Sequence, residues 1–399
     1  MSIAKYVPSA RKIENSVGLS LSGGGFRATL FHLGAIRRLN EFGVLPRLTT
    51  ISSVSGGSIL NGFLASRLRD PLANGVADFQ SSVADPIRQF CFLDIRRWLA
   101  LEAVIPGTHN SSGLAKQYDE HLTKGKLLKD IPEAPVQVFC STDLAYGVNW
   151  IFKKQECGDW QAGFQKTPAD WLVATAVAAS SCFPPVFKPL QLNLDPAKMV
   201  GGNVPPGPQR DKAMREITFS DGGVYDNLGL EPIWKDHEIV LSSDGGALFP
   251  VGGDTGFVWE ISRFISIPEN QALALRKRWL ISNFDSGRLK GTYWGIGSSR
   301  SSYGLDGGYS DDLARNFIAA IRTDLDSFSG AEASILENHG YWLADAAIQK
   351  HVPKLFPKEI VPLKVPYPEW AGPEDKIKEA LKDSGKRTLL GRSQQNRGH

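Results

Sequence analysis

Residues 48–57, LTTISSVSGG, decide the fold of this chain because they join a strand, a sharp turn and the start of a helix. The β-branched residues at 49–51 are typical of a strand, and apolar residues at helical spacing follow the two glycines. Ser55 lies at the centre of the turn, which matches G-x-S-x-G except that Ser53 takes the first glycine position. Such a strand-to-helix turn exposes the hydroxyl of its central serine. We therefore predict that Ser55 is a nucleophile.

A second strand-to-helix turn lies upstream, in SVGLSLSGGGFRATL at 16–30. The pattern predicts a strand that runs into Gly23, Gly24 and Gly25, and then a helix. Glycines at a helix N-terminus leave several backbone N–H groups free at the positive end of the helix dipole. An oxyanion that forms during acyl transfer needs donors of this kind. The segment is therefore a candidate oxyanion loop.

The same glycines also fit the dinucleotide-binding pattern G-x-G-x-x-A, which ends at Ala28. That pattern expects an acidic residue at the end of the next strand, where it binds ribose hydroxyls. Here the next strand leads into Ser55, and no acidic residue follows until Asp70. We therefore reject nucleotide binding and predict no cofactor.

Two aspartates are candidates for the base that would activate Ser55. Asp221 ends a predicted strand in EITFSDGGVYDNLGL, and Asp244 ends another in EIVLSSDGG. A carboxylate within hydrogen-bond reach of a serine hydroxyl acts as a general base. Sequence spacing alone does not choose between Asp221 and Asp244.

Four motifs, SGGGFR, SVSGGS, ATAVAASSCFPPVF and DGGVYDNLG, occur in this order within residues 15–250. With them the chain resembles the patatin-like phospholipase family, in its bacterial-type variant. The resemblance implies an α/β fold with three α/β/α layers, a mostly parallel central sheet, a helical cap and C-terminal helices. It also implies hydrolysis of lipid acyl esters by a Ser–Asp dyad without histidine.

Matched position by position, the resemblance implies that Ser55 is the nucleophile and Asp221 the base. Residues 135–152 resemble the strand pair of the family, with Thr142 and Asp143 at its turn. The oxyanion-binding set that the resemblance implies is Gly23, Gly24, Gly25 and Arg27.

Three positions depart from the usual family pattern. Ser22 stands where the family often has Asp, Ala28 where it often has Gly, and Ser53 where it usually has Gly. Serine is accommodated at position 53 provided that its φ angle stays negative.

We predict that the histidines and cysteines are structural residues rather than catalytic or metal-binding ones. His339 is the best candidate for a triad histidine, but it precedes Gly340 at a predicted helix end, where an imidazole commonly caps carbonyls. His32 is expected to pack within its helix. No metal site is predicted, and four cysteines without a CxxC pair are expected to be reduced core residues: Cys91, Cys140, Cys157 and Cys182.

Composition excludes several classes of protein. The 399 residues carry a net charge of +3, which gives no support to nucleic-acid binding. No run of about 18 apolar residues suggests a membrane-spanning helix, and the first residues lack the apolar core of a signal peptide. We expect a cytoplasmic enzyme, with peripheral membrane contact as a further option. The expected partner is a membrane phospholipid or lysophospholipid substrate, with an activating ligand or protein as an alternative.

The expected organisation has three parts. Residues 15–250 form the catalytic domain, with a helical cap insertion at 71–134 and a Gly/Pro-rich stretch at 193–211 that is either a lid or a disordered insertion. Residues 251–382 form a helical and loop extension packed on that domain. A basic tail at 383–399 is expected to be disordered.

The segment 85–107 within the cap concentrates aromatic residues and arginines. One interpretation is a cap helix packed on the core. The alternative is a membrane-docking or acyl-binding surface, because aromatics and arginines suit a lipid interface.

Together these expectations describe a lipid acyl hydrolase, of phospholipase A or lysophospholipase type, that works through an acyl-enzyme. Two alternatives remain open on the sequence. One is an effector phospholipase activated by a ligand or partner, and the other is a non-hydrolytic lipid-binding module on the same fold.

Overall fold

A mixed α/β sheet organises the chain. The structure, a computed structural model, describes residues 8, 12–67, 75–97, 110–184, 187–246, 248, 257–355 and 361–386. Ten strands of the described chain join one sheet: β1 Ile13–Leu21, β2 Thr50–Ser53, β3 Val136–Asp143, β4 Val148–Phe152, β5 Glu156–Asp159, β6 Gly163–Lys166, β7 Leu190–Leu192, β8 Ile217–Asp221, β9 His237–Asp244 and β10 Lys290–Gly295.

Helices surround this sheet, and some continue into short π-helical turns at Gln80–Ala84, Asp119–Thr123 and Ala314–Ile318. The α-helices in the described residues are α1 Gly25–Glu41, α2 Gly56–Arg67, α3 Asp85–Cys91, α4 Asn110–Tyr118, α5 Val173–Ser181, α6 Pro208–Arg215, α7 Gly223–Asp226, α8 Phe257–Asp285, α9 Asp311–Leu313, α10 Gly330–His351 and α11 Glu374–Leu381. None of these described helices is long and apolar enough to cross a bilayer.

The sheet has a parallel half and an antiparallel half. Strands run in the order β10-β9-β1-β2-β3, all parallel, and β3 is the boundary. From β3 onward, β4, β5 and β6 continue antiparallel on the main path, and β8 with β7 pairs antiparallel to β3 as a branch. The predicted parallel sheet is therefore the half that carries the strand-to-helix turns.

Alternating side chains of the parallel strands pack on opposite faces, which produces the predicted three layers. On β9, Leu241 joins the large core that contains α1 and α10, whereas Val240 joins a smaller core with α8. On β10, Trp294 joins the large core, whereas Tyr293 packs against the smaller one. The sheet is thus covered by α1 and α10 on one side and by α8 on the other.

Helices α1 and α10 cross at two glycines. A Cβ atom at Gly340 would collide with the Phe31 carbonyl oxygen, and one at Gly34 would collide with the Glu337 carbonyl oxygen. The two backbones approach closely only because neither residue has a side chain. Gly340 is therefore inside α10, so the predicted helix end after His339 is wrong.

Buried ion pairs reinforce this crossing. Arg37 pairs with Glu337 at 2.5 Å, and Arg38 pairs with Asp345 at 2.8 Å. Arg300 also reaches Asp345, at 2.6 Å. Because the carboxylates of Glu337 and Asp345 are fully buried, loss of their arginine partners would leave an unpaired charge in the core.

The described residues after position 250 contribute to the same sheet and core as the residues before it. Strand β10 adds to the edge of the sheet, although the surrounding stretch 284–308 is glycine- and serine-rich, a composition typical of a loop. Helix α8 is one of the helices expected within 251–382. Of the expected disordered tail at 383–399, residues 387–399 lie outside the described residues.

The stretch 193–211, predicted to be a lid or a disordered insertion, is structured. It contains a 3-10 turn at Pro196–Lys198 and leads into α6. It hydrogen-bonds to the β5–β6 hairpin, where the Val204 N–H donates to the Gln161 carbonyl at 3.0 Å. No residue of this stretch lines the candidate site described below.

The described parts of the predicted cap, 75–97 and 110–134, pack into the core. The Phe90 ring lies 5.5 Å from Phe26 of α1 and 6.0 Å from Tyr118 of α4. Phe90 and Ile95 are buried, which favours the core-packing interpretation over a docking surface for these side chains. Residues 98–109, which include Trp98, lie outside the described residues.

The helix crossing predicts the effect of one methyl group. Gly340→Ala should lower the free energy of unfolding by about 1–3 kcal/mol, because the added Cβ forces α1 and α10 apart. Denaturant unfolding of the purified variant measures this change.

Gly330→Ala is the matched control in the same helix. A Cβ there meets nothing within 4 Å, so the substitution should leave stability unchanged or raise it by up to about 1 kcal/mol. Equal effects of the two substitutions would contradict the proposed packing constraint.

Candidate active site

The turn after β2 places Ser55 in a strained backbone conformation. Its φ angle is +50°, in the left-handed region that non-glycine residues rarely adopt. Gly56 and Gly57 follow, and a Cβ on either would collide with the backbone, at Gly25 and Leu21 respectively. The small residues therefore allow the turn to sit against the end of β1, as the sequence predicts.

Ser53 is accommodated without a positive φ angle, as the sequence analysis required. Its hydroxyl donates to the Val138 carbonyl at 3.1 Å and accepts from Ser58 and from Asn61, each at 2.9 Å. A buried polar cluster thus replaces the usual glycine and leaves the turn intact.

Strand register brings Asp221 to the level of Ser55. Ser53 pairs with Phe139 of β3, and Asp221 pairs with Ser141, two residues further along the same edge of that strand, because β4 occupies the opposite edge. Two residues beyond Ser53, the chain is therefore level with Asp221. Ser55 and Asp221 line the same cavity, and the Ser55 hydroxyl favours the ionised form of the Asp221 carboxyl group.

The Asp221 carboxyl is buried, and burial raises its pKa from 3.8 to about 7. Hydrogen bonds from the Gly223 N–H, at 2.7 Å, and from Ser55 act against this rise, while the Glu269 carboxylate adds to it. A carboxyl group with a pKa near neutrality can both accept and release a proton at physiological pH.

The other candidate base, Asp244, has a different environment. It pairs with Lys277 at 2.5 Å and accepts hydrogen bonds from the Tyr293 hydroxyl at 2.7 Å and the Gly246 N–H at 2.9 Å. Burial alone would raise the pKa of Asp244, but Lys277 and these donors lower it to about 2. Asp244 is therefore a permanently charged structural group.

The glycine loop presents two of its three amides to the site. Gly24 and Gly25, with φ angles of +140° and +58°, line the same cavity as Ser55, and their N–H groups have no acceptor among the described residues. The Gly23 N–H instead donates to the Asn227 carbonyl at 3.0 Å. Gly23 lies against the Ser55 side chain but does not offer a free donor.

Arg27 is not an oxyanion ligand, contrary to the expectation from the sequence. Its buried guanidinium donates to the carbonyls of Gly245, Ala319 and Ile321, at 2.7 to 3.1 Å. It does not line the cavity. Arg27 ties the start of α1 to two distant loops, and so positions the glycine loop from behind.

Ser180 is a positioning residue that the sequence analysis did not single out. Its carbonyl accepts from the N–H groups of Ser55, at 3.1 Å, and Gly222, at 3.2 Å. Its hydroxyl accepts from the Ser55 N–H at 3.0 Å and donates to the Cys140 carbonyl at 2.6 Å. The C-terminal end of α5 therefore holds both halves of the Ser–Asp pair. The only signal in the sequence was the motif ATAVAASSC itself.

A cavity of about 320 Å³ opens beside the Ser55 hydroxyl. Ser55, Asp221, Gly24 and Gly25 form its reactive wall. Apolar side chains contribute much of the remainder, which suits a hydrocarbon chain: Phe183, Phe187, Leu248, Leu273 and Leu325. Two arginines, Arg96 and Arg276, and the acids Glu269 and Asp324 also line it.

No histidine lines this cavity in the described chain. His339 donates from Nε2 to the Ile296 carbonyl at 2.8 Å, and His32 bonds to Ser243 and to the Ser22 carbonyl. Burial lowers the pKa of each imidazole to about 4, so both histidines are neutral structural groups, as expected.

The four cysteines are buried and unpaired. No cluster of three or more metal-ligating side chains occurs among the described residues.

The chain belongs to the patatin-like phospholipase family, whose family model matches residues 19–234, just over half of its length. This match spans the glycine loop, the Ser55 turn and Asp221. No protein with a curated description matches the chain significantly.

Two solved structures are similar to the chain at low sequence identity. Human GIVD cytosolic phospholipase A2 is 13% identical, with a TM-score of 0.38, over 58% of this chain and 45% of that chain. VipD from Legionella pneumophila is 14% identical, with a TM-score of 0.37, over 84% of this chain and 67% of that chain. The chain thus spans less than half the length of the human enzyme.

The two aspartates should affect stability with opposite signs. Because the folded-state pKa of Asp221 lies above its ordinary 3.8, its contribution to stability is present below about pH 4 and is lost as pH rises through about 7. Asp221→Asn should therefore be more stable than the wild type at pH 8, by up to roughly 4 kcal/mol, with the difference vanishing near pH 4.

Asp244→Asn is the matched comparison. The lowered pKa of Asp244 stabilises the fold above about pH 4 and loses this effect as pH falls towards 2, so its replacement should destabilise the fold at neutral pH. Denaturant unfolding of both variants across pH tests the pair of signs. A loss of stability in both at pH 8 would show that the Asp221 carboxylate is not held at an energetic cost.

Proposed function

We propose that this protein is a lipid acyl hydrolase in which Ser55 is the nucleophile and Asp221 the general base. The observation that carries the proposal is that a strained serine and a buried carboxyl group of raised pKa line the same, largely apolar cavity. Membership of the patatin-like phospholipase family supports a lipid ester as the substrate.

In the first half-reaction, the Ser55 oxygen attacks the ester carbonyl carbon and its proton passes to the Asp221 carboxylate. The negative charge that develops on the carbonyl oxygen is stabilised by the N–H groups of Gly24 and Gly25. When the intermediate collapses, the ester C–O bond breaks and Asp221 returns the proton to the leaving alcohol. Ser55 then carries the acyl group.

In the second half-reaction, water attacks the acyl-enzyme while Asp221 accepts a proton from it. The bond between the Ser55 oxygen and the acyl carbon breaks, and the proton on Asp221 restores the serine hydroxyl. A free fatty acid is released. One carboxyl group thus serves as base and acid in both halves, which its pKa near 7 permits.

Arg27 and Ser180 have positioning roles in this proposal. Arg27 holds the start of α1, where Gly24 and Gly25 lie, through three backbone carbonyls. Ser180 holds the backbone of Ser55 and of Gly222, beside the base. Neither side chain needs to touch the substrate.

Release of fatty acid from mixed phospholipid vesicles tests the nucleophile and the base. Ser55→Ala and Asp221→Asn should each reduce the rate by at least about 10³-fold, because each removes a member of a unit that acts together. Asp244→Asn should retain most of the activity per folded molecule. Mass spectrometry of the released fatty acids measures these rates.

Substantial hydrolysis by Asp221→Asn would overturn the base assignment. Fatty-acid release that is equal in the wild type and Ser55→Ala would overturn the nucleophile. No release by the wild type, even after addition of candidate activators, would favour a lipid-binding module on this fold.

The pH profile gives an independent test. Because Asp221 must be ionised to accept the serine proton, kcat/KM should rise tenfold per pH unit below about pH 7 and level off above it. A profile that is flat between pH 5 and pH 8 would contradict a base of this pKa.

A further inference from the structure

Helix α8 has a face that lines the cavity. Ser266, Glu269, Leu273 and Arg276 all contribute to its wall. At 100° per residue these positions lie on one side of the helix. The helix therefore forms one wall of the site proposed for lipid ester hydrolysis.

The opposite side of α8 exposes apolar side chains. Phe264 is 71% exposed and Leu275 59% exposed, and the eleven-residue spacing between them places both at nearly the same angle around the helix. Ile267, 43% exposed, lies within one third of a turn of them. We call Phe264, Ile267 and Leu275 the outer stripe of α8. Single exposed apolar residues are ordinary, but three large ones on one side of a helix indicate an interaction surface.

Exposed apolar residues also form the edge of the cavity. Phe183 and Leu248 line it and are nevertheless 43% and 47% exposed. The edge of the cavity is thus apolar as well, beside the helix that carries the outer stripe. A hydrocarbon chain that enters the cavity passes this edge.

We propose that the outer stripe of α8, with Phe183 and Leu248, is a docking surface for a lipid bilayer. This inference rests on the proposed function, because a lipid ester must leave the bilayer to reach Ser55, and a docked cavity mouth shields its acyl chains from water.

Exposed basic side chains near this surface also favour a lipid bilayer as the partner. Arg278 lies on the side of the outer stripe and Lys188 follows the cavity-lining Phe187, and neither forms an ion pair within the described residues. Exposed cations beside an apolar stripe suit anionic headgroups.

Vesicle flotation with the Ser55→Ala protein tests docking without hydrolysis. The vesicles contain phosphatidylcholine with added phosphatidylglycerol. Phe264→Ser combined with Leu275→Ser should reduce the vesicle-binding constant by at least about tenfold, because two large apolar side chains no longer insert into the bilayer. Trp160→Ser combined with Val200→Ser, which removes side chains 51% and 74% exposed away from the cavity, should change binding less than about twofold.

Equal loss of binding in the two double variants, or no loss in either, would overturn the proposal. A wild-type protein that does not float would overturn it as well. So would a dimer that dissociates in the Phe264→Ser/Leu275→Ser variant by analytical ultracentrifugation, because the stripe would then contact a second copy of the chain.

Hydrolysis of a monomeric short-chain ester separates this inference from the proposed function. With Ser55 intact, the Phe264→Ser/Leu275→Ser variant should keep its rate on that ester and lose at least about tenfold on vesicles. An equal loss on both substrates would overturn docking. A wild type that hydrolyses neither substrate would overturn the proposed function, while flotation of the Ser55→Ala protein still reports on docking.

Discussion

The left-handed turn at Ser55 is the constraint on which the rest of the site depends. It holds a non-glycine residue at a φ angle of +50°, and it can do so only where the surrounding backbone leaves no alternative. Gly56 touches the glycine loop after β1, and Gly57 touches the end of β1 itself. The nucleophile and the candidate oxyanion donors are thus fixed by the same backbone contact. Ser180 of α5 closes the arrangement from the side of the base.

Asp221 and Asp244, each at the end of a strand, show how the environment of a carboxyl group determines its role. Asp221 is buried with few compensating charges, which raises its pKa to about 7. Asp244 is equally buried but is paired with Lys277, which lowers its pKa to about 2. The first is suited to proton transfer and the second to holding β9 and α8 together. In the proposed mechanism, the fold tolerates one unstable carboxylate because that carboxylate performs the chemistry.

Much of the site could be predicted because its signals are local. The strand at β2, the turn at Ser55 and the glycine loop each rest on a few adjacent residues, and β8 ends at Asp221 as its sequence indicates. At two other positions, the usual structural role of glycine led to a wrong prediction. Gly340 is typical of a helix end, yet it permits a helix crossing, and Gly291 is typical of a loop, yet it allows β10 to approach the Val240 carbonyl. The partners of Arg27 lie more than 200 residues away, so no local pattern could separate a positioning arginine from a ligand.

The central claim is that Asp221 alone activates Ser55. The most direct measurement is the rate at which a fluorophosphonate probe modifies the protein, with the modified peptide identified by mass spectrometry across pH. The account predicts a single modification at Ser55, with a rate that rises through an apparent pKa of about 7 and is nearly abolished in Asp221→Asn. Modification of another residue, or a rate in Asp221→Asn equal to that of the wild type, would contradict it.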